Sequence, residues 1–368
     1  MGAEAEAAGA PPGGEGGAAG EGAVEFSCAP PTGDCDESTL TGCETNLLSA
    51  VDHCGACRQR CYGVCVEGVC SPFELLSLEV GAPNTNGIVQ VEGDVLATSP
   101  YDPPLLLRWS NERGAEPLVD ESWSFDALAR ASDRVYLLGA ADAQLSSLLL
   151  KGNKVVSENL TAKTAVVIAD TLYAVDAADM PYKRAPLPGA RTNLPLPTPA
   201  AAYDEPLMAT DGRELGLVVN HSTEPSTYSA FFLVGSTWQL VYSGSGGRVS
   251  QVRVSGRTMY VTVGIDFEGS QFDEETEYEI TRLDFDGGNE VIGRAVGVVS
   301  FELTDQLYVS RVSAYHRGGF LIIPLDDPSS ARELEAAGDM RSLTYIAPYF
   351  YFGLSHRTAL ARVRSWLP

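Results

Sequence analysis

Cationic residues are scarce in this chain. Twenty-five Lys and Arg face 49 Asp and Glu, giving a net charge of -24 and a pI near 4.4. A chain so acidic, with no basic stripe, repels phosphate backbones, which excludes the nucleic-acid binders. Anionic membrane surfaces are disfavoured for the same reason. The acidity suits solubility, cationic partners or divalent ions. No run approaches the roughly 18 apolar residues of a membrane-spanning helix. Histidine numbers four, and tryptophan four. Neither G-x-S-x-G nor H-E-x-x-H occurs, so two common hydrolase signatures are missing. Cysteine is absent from residues 71–368, yet eight cysteines crowd between Cys28 and Cys70.

That crowding divides the chain into three. Residues 1–23 contain only Met, Gly, Ala, Glu and Pro. Such a segment cannot bury enough apolar surface to offset its ordering entropy, and it is expected to be a disordered linker, a candidate tether. Its start lacks the basic region and apolar core of a secretion signal. Glu6 stands where the myristoylation motif needs Ser or Thr.

Residues 24–70 hold Cys28, Cys35, Cys43, Cys54, Cys57, Cys61, Cys65 and Cys70, with little apolar material beyond Leu47, Leu48 and Val51. A module this small needs staples. An even cysteine count in a short stretch reads as four disulfides, hence an oxidising compartment, although the spacing does not assign partners. The rival is zinc on Cys54, Cys57, Cys61 and Cys65. Against it, the thiols run on at short irregular spacings rather than as two separated knuckles. An oxidising compartment and the missing signal agree if the chain begins after a removed leader.

From Ser71 onward the pattern is β. The segments VQVEGDVLATSP, ALARASDRVYLLGA, AVVIADTLYAVD, MATDGRELGLVVN, VRVSGRTMYVTVG, FELTDQLYVSR and LTYIAPYFYFGL each read as two strands about a tight turn. The turns fall at Asp94, Asp133, Asp170, Asp211, Gly256, Asp305 and Pro348, a period of about 40 residues that suits a four-stranded propeller blade. The last unit ends after its third strand, and FELLSLEV (residues 73–80) precedes the first unit unassigned. It is expected to close the ring as the missing fourth strand, protecting the sheet edges. The expected fold is therefore all-β: a seven-bladed β-propeller over 71–368, preceded by a small disulfide-rich module and a disordered tail. A monomer is expected.

Two stretches carry resemblances. Gly42-Cys43-Glu44-Thr45-Asn46, followed by His53-Cys54-Gly55 with Cys57 and the closing cysteines, resembles a cysteine-rich module of exported bacterial proteins. That module typically stands between a lipoprotein or secretion signal and an extracellular domain such as a propeller. The resemblance implies export or surface tethering and carries no activity. Leu172-Tyr173, Leu307-Tyr308 and Leu283-Asp284-Phe285-Asp286-Gly287 resemble the blades of TolB-like and YWTD-type propellers.

Ligands commonly meet a propeller on the loops between second and third strands. His221, His316 and His356 all fall in these loops, in units four, six and seven, with Arg311, Arg317 and Arg357 near two of them. Converging imidazoles suit a transition metal or a general base, and the arginines suit an anionic sugar or carboxylate. Tyr101 and Asp102 add candidates from the first such loop. Histidines are also ordinary occupants of polar loops. In unit five, Asp266, Glu268, Asp273, Glu274 and Glu275 form an acidic run that could hold Ca²⁺ but lacks EF-hand order. Solvated loops account for most such runs. No resident cofactor is otherwise indicated. The function expected is non-catalytic binding of an extracellular protein or carbohydrate. The alternative is a propeller-type carbohydrate hydrolase or lyase working on the His221/His316/His356 face.

Overall fold

The computed structural model describes residues 28–36, 42–78, 87–99, 105–110, 112–118, 125–139, 143–185, 189–196, 203–222, 226–265, 276–304, 306–311, 318–337, 340–354 and 359–364. Strands dominate, and the two short helical turns among the described residues, Val51–His53 and Pro328–Ser330, are 3₁₀. No helix of the described residues is long and apolar enough to cross a membrane.

Seven antiparallel sheets make the ring. Blade one holds Ile88–Val91, Asp94–Ser99, Leu105–Ser110 and Gly114–Pro117, paired in sequence order. Blades two to six repeat this order over residues 125–161, 164–193, 203–245, 247–296 and 298–336. The first hairpins turn where Gly and Asp relieve the backbone. Glu92 and Gly93 have φ of 50° and 91°, and Ala169 and Asp170 have 45° and 62°, the left-handed geometry that two-residue hairpins require.

Blade seven takes Met340–Ile346, Tyr349–Leu354 and Ala359–Arg364 from the end of the chain and Glu74–Leu78 from its beginning. The ring is thus sewn shut by two segments far apart in sequence. The first strand of every blade touches the first strands of both neighbours, so the seven form a closed inner wall.

Between each neighbouring pair of blades lies one hydrophobic cluster, and this explains the alternation in the strands. In blade four, for example, Tyr228, Ala230 and Phe232 pack towards blade five, while Phe231 packs towards blade three beside Trp238. A side-chain period of two feeds two interfaces from one strand. Burying one such side chain contributes roughly 1.5–3 kcal/mol, repeated around the ring.

The cysteine module is stapled by Cys28–Cys43, Cys35–Cys57, Cys54–Cys65 and Cys61–Cys70. It is no detached spacer. Its hairpin, Gly63–Val66 with Val69–Pro72, extends blade six to six strands. The join is made by Val64 opposite Ala336 and by Ala337 N–H donating to the Gly63 carbonyl at 2.8 Å. Val64 is fully buried among Tyr308, Phe320, Leu334 and Phe350. Glu335 Oε2 accepts the Val51 N–H at 3.1 Å, a second tie between ring and module.

Candidate functional site

The inner wall encloses a cavity of about 320 Å³ to which every blade contributes. Ile88, Leu128, Ala129, Val166 and Met208 show the cavity only the edges of side chains packed between the blades, whereas Arg130, Arg253, Glu302, Thr210 and Thr344 give it polar groups. Each is held on a first strand paired on its outer side, so the lining is fixed by sheet structure rather than by loops.

The charged groups are unevenly engaged. Arg253 Nε lies 3.9 Å from Glu302 Oε1, an ion pair beyond hydrogen-bond reach, with the two side chains 20% and 18% exposed. Arg253 Nη1 donates to the Val252 carbonyl at 3.0 Å, and its guanidinium sits 5.4 Å from the centre of the Phe301 ring. Glu302 Oε1 accepts the Leu303 N–H at 3.1 Å. Burial pushes the Glu302 carboxyl above its usual range, against the pull of Arg253 and of the Leu303 and Tyr345 backbone. Arg130 is exposed and makes no hydrogen bond or ion pair among the described residues. In a chain of net charge -24, this lining carries two guanidinium groups against one carboxyl.

Of the three histidines expected to share a face, only His221 lies in the described residues. It ends the second strand of blade four, where Nε2 and Ser229 Oγ are 3.0 Å apart. Burial pushes its pKa down. His316, His356, Arg317, Arg357, Tyr101 and Asp102 lie outside the described residues, as do Asp266, Glu268, Asp273, Glu274 and Glu275. Arg311 ends the second strand of blade six, opposite Gly319. The zinc alternative is overturned: Cys54, Cys57, Cys61 and Cys65 are distributed over three disulfides, and no free cysteine remains among the described residues. Two groups of three ligand-type residues do cluster there. Cys35 and Cys57 beside His53 are already bonded to each other. Asp34, Asp36 and Glu44 form a partly exposed acidic trio in which Glu44 Oε1 accepts the Cys35 N–H at 3.0 Å.

Arg130, Arg253 and Glu302 are not among the residues expected from sequence. A signal for them exists in the aligned first strands. Charges at ALARAS, VRVS and FELT stand in segments otherwise chosen for burial, where a solvated charge has no reason to be.

No protein-family model matches the chain, and no curated protein does. Solved structures do resemble it. YCF48 bound to D1 peptide aligns over 80% of this chain and 95% of its own, with a TM-score of 0.54 and 10% identity. The β-propeller domain of Cps50 (Swd1) from Myceliophteria thermophila aligns over 80% and 99%, with a TM-score of 0.53 and 10% identity. Puromycin hydrolase aligns over 76% of this chain and 51% of its own, with a TM-score of 0.52 and 13% identity, so the chain spans about half of that protein. At these identities the likeness shows the propeller fold alone.

Proposed function

We propose that the chain is an exported, non-catalytic binding propeller for an extracellular protein or glycan, engaged through the central cavity and the surrounding loop face. The observation that carries this reading is the cavity itself. Seven separate strands converge on one open space with apolar edges, hydroxyls and a few fixed charges, the make-up of a ligand site. Four disulfides support export, because such bonds persist where the medium is oxidising. The resemblance of Gly42 to Cys70 to a module of exported proteins points the same way, with residues 1–23 as the tether. Among similar folds, YCF48 is a propeller with a peptide bound.

The test is a peptide and glycan array screened with the full chain, alongside metal analysis and a turnover assay on each hit. Saturable binding without turnover is the expected result. Cleavage or elimination of a bound glycan would sink the non-catalytic reading in favour of a propeller hydrolase or lyase.

A further inference from the structure

The binding reading leaves the ligand's chemistry open, and the cavity narrows it. A guanidinium carries five N–H donors in a planar fork that matches a carboxylate. Arg253 commits one of them to Val252 and none to Glu302, whose oxygen is 3.9 Å away. Its hydration is already reduced by Phe301 and by a side chain only 20% exposed, so an incoming acceptor meets a partly desolvated cation. Arg130 lines the same space from blade two without a protein partner among the described residues. The surface at large repels anions, so retaining two such cations around one cavity selects for an anion small enough to enter. The walls between them mix the edges of Ile88, Leu128, Val166 and Met208, whose side chains pack mainly between the blades, with the hydroxyls of Thr210 and Thr344, so the body that bears the anion is short and only partly apolar.

We propose that the central cavity is a carboxylate site: Arg253 and Arg130 receive the anion, and the mixed polar and apolar wall receives the short body that bears it. About 320 Å³ admits one or two small residues rather than a folded segment. The carboxylate is supplied either by the C-terminus of an extended peptide or by a short branched organic acid. Glu302 tunes the site. Its carboxyl lies 3.9 Å from Arg253 Nε and holds that guanidinium at the cavity without closing a hydrogen bond to it.

This rests on the binding reading for the existence of a ligand, and the experiment separates the two. Isothermal titration of the full chain is run with the free-acid peptide acetyl-Gly-Gly-Val-Val, its C-terminal amide, and isovalerate. The free-acid peptide or isovalerate should bind, and the amide should bind roughly 10- to 100-fold more weakly than its acid, as expected for loss of a charged hydrogen-bond partner. Tight binding by the peptide acid with weak isovalerate assigns the peptide source, and the converse assigns the small acid. Arg253→Gln should weaken the binding acid at least about tenfold. Arg130→Gln, an exposed change that does not put folding at stake, should weaken it too. Arg332→Gln, on the outer strand of blade six, should not. Equal affinity for acid and amide, or no binding of either acid, overturns the carboxylate site. Array hits that survive Arg253→Gln and Arg130→Gln would keep the binding reading while overturning this one. An empty array together with silent titrations overturns both.

Discussion

Asp211 stands at the first turn of its blade, a position that suits aspartate as a turn cap, and it caps the turn: Oδ1 accepts the Arg213 and Glu214 N–H groups at 2.9 and 2.8 Å. Its other oxygen does something the spacing could not reveal, accepting Gly256 N–H at 2.7 Å from the turn of the next blade. Asp170 makes the same kind of link back to Ser132 at 2.6 Å. Burial raises the Asp211 pKa, but three backbone donors outweigh it, and the net shift is downward from 3.8. A depressed carboxylate contributes stability that is fully present above the unfolded pKa and is lost as pH falls through the folded one. Asp211 is exposed, so water screens these bonds and replaces part of them, and Asp211→Ala should cost only about 0.5–1 kcal/mol at pH 7. The gap from wild type should shrink in urea titrations repeated below pH 3.8, and a pH-independent gap would contradict it. Glu158 is a sharper case. It is 8% exposed, and its carboxylate accepts Arg134 Nη1 at 3.1 Å, Ser147 Oγ at 2.5 Å and, from blade three, Arg184 Nη1 at 2.8 Å. Removing one member of a buried charge network leaves the others uncompensated, so Glu158→Ala should cost about 3–5 kcal/mol. Denaturant unfolding measures it, and a loss within the range of an exposed pair would show the network to be solvated. Nothing in the string SENLTAK marks Glu158 as buried, because its partners come from different strands and a different blade.

Strands and turns were legible because they are local. Alternation and turn residues placed both strands of each first hairpin, and the remainder at 73–80 pointed to a shared blade. The docking of the cysteine module was not legible, since Val64 and Ala336 meet only through the folded ring. Local pattern shows that the Gly63–Val66 strand exists but not which edge it joins. Gly63 allows the hairpin that makes the join to close. A Cβ there would lie 1.9 Å from the Ser71 carbonyl oxygen and 2.6 Å from Pro72 Cα, both backbone atoms that cannot step aside. Gly63→Ala should force the hairpin apart and release the Ala337 N–H from the Gly63 carbonyl. The expected result is a loss of roughly 1–3 kcal/mol with the disulfides intact. Faster amide exchange should be confined to Ala337 and the hairpin, with other blades unchanged. Unchanged exchange at Ala337 would mean the module does not depend on this contact.

For the whole molecule, the seam decides whether seven blades act as one unit. Each blade buries its faces only against neighbours, so an open ring would leave two faces wet and a row of edge groups unpaired. The closing strand is held by Arg362, which donates Nε and Nη2 to the two oxygens of Glu74 at 2.8 Å each. The same guanidinium stacks 4.5 Å from the Trp109 ring of blade one and 4.2 Å from that of Tyr349. Arg362 is 8% exposed at the side chain and Glu74 is 54% exposed, so the two ends of the bond are not equivalent. Glu74→Ala removes a partner that water can replace. Arg362→Ala removes the bidentate bond, two ring contacts and the packing between blades seven and one. A charged hydrogen-bond pair contributes about 1.5–3 kcal/mol and a partly desolvated ring contact about 1 kcal/mol more. Arg362→Ala should therefore destabilise clearly more than Glu74→Ala, and the double variant should be no worse than Arg362→Ala by more than about 0.5 kcal/mol. Limited proteolysis of Arg362→Ala should cut the closing strand 74–78 sooner than in the wild type. If Glu74→Ala were the more damaging change, or if neither altered the proteolysis pattern, ring closure would have to be credited to the apolar cluster of Leu76, Ile88, Tyr351 and Leu360 instead of to the ion pair.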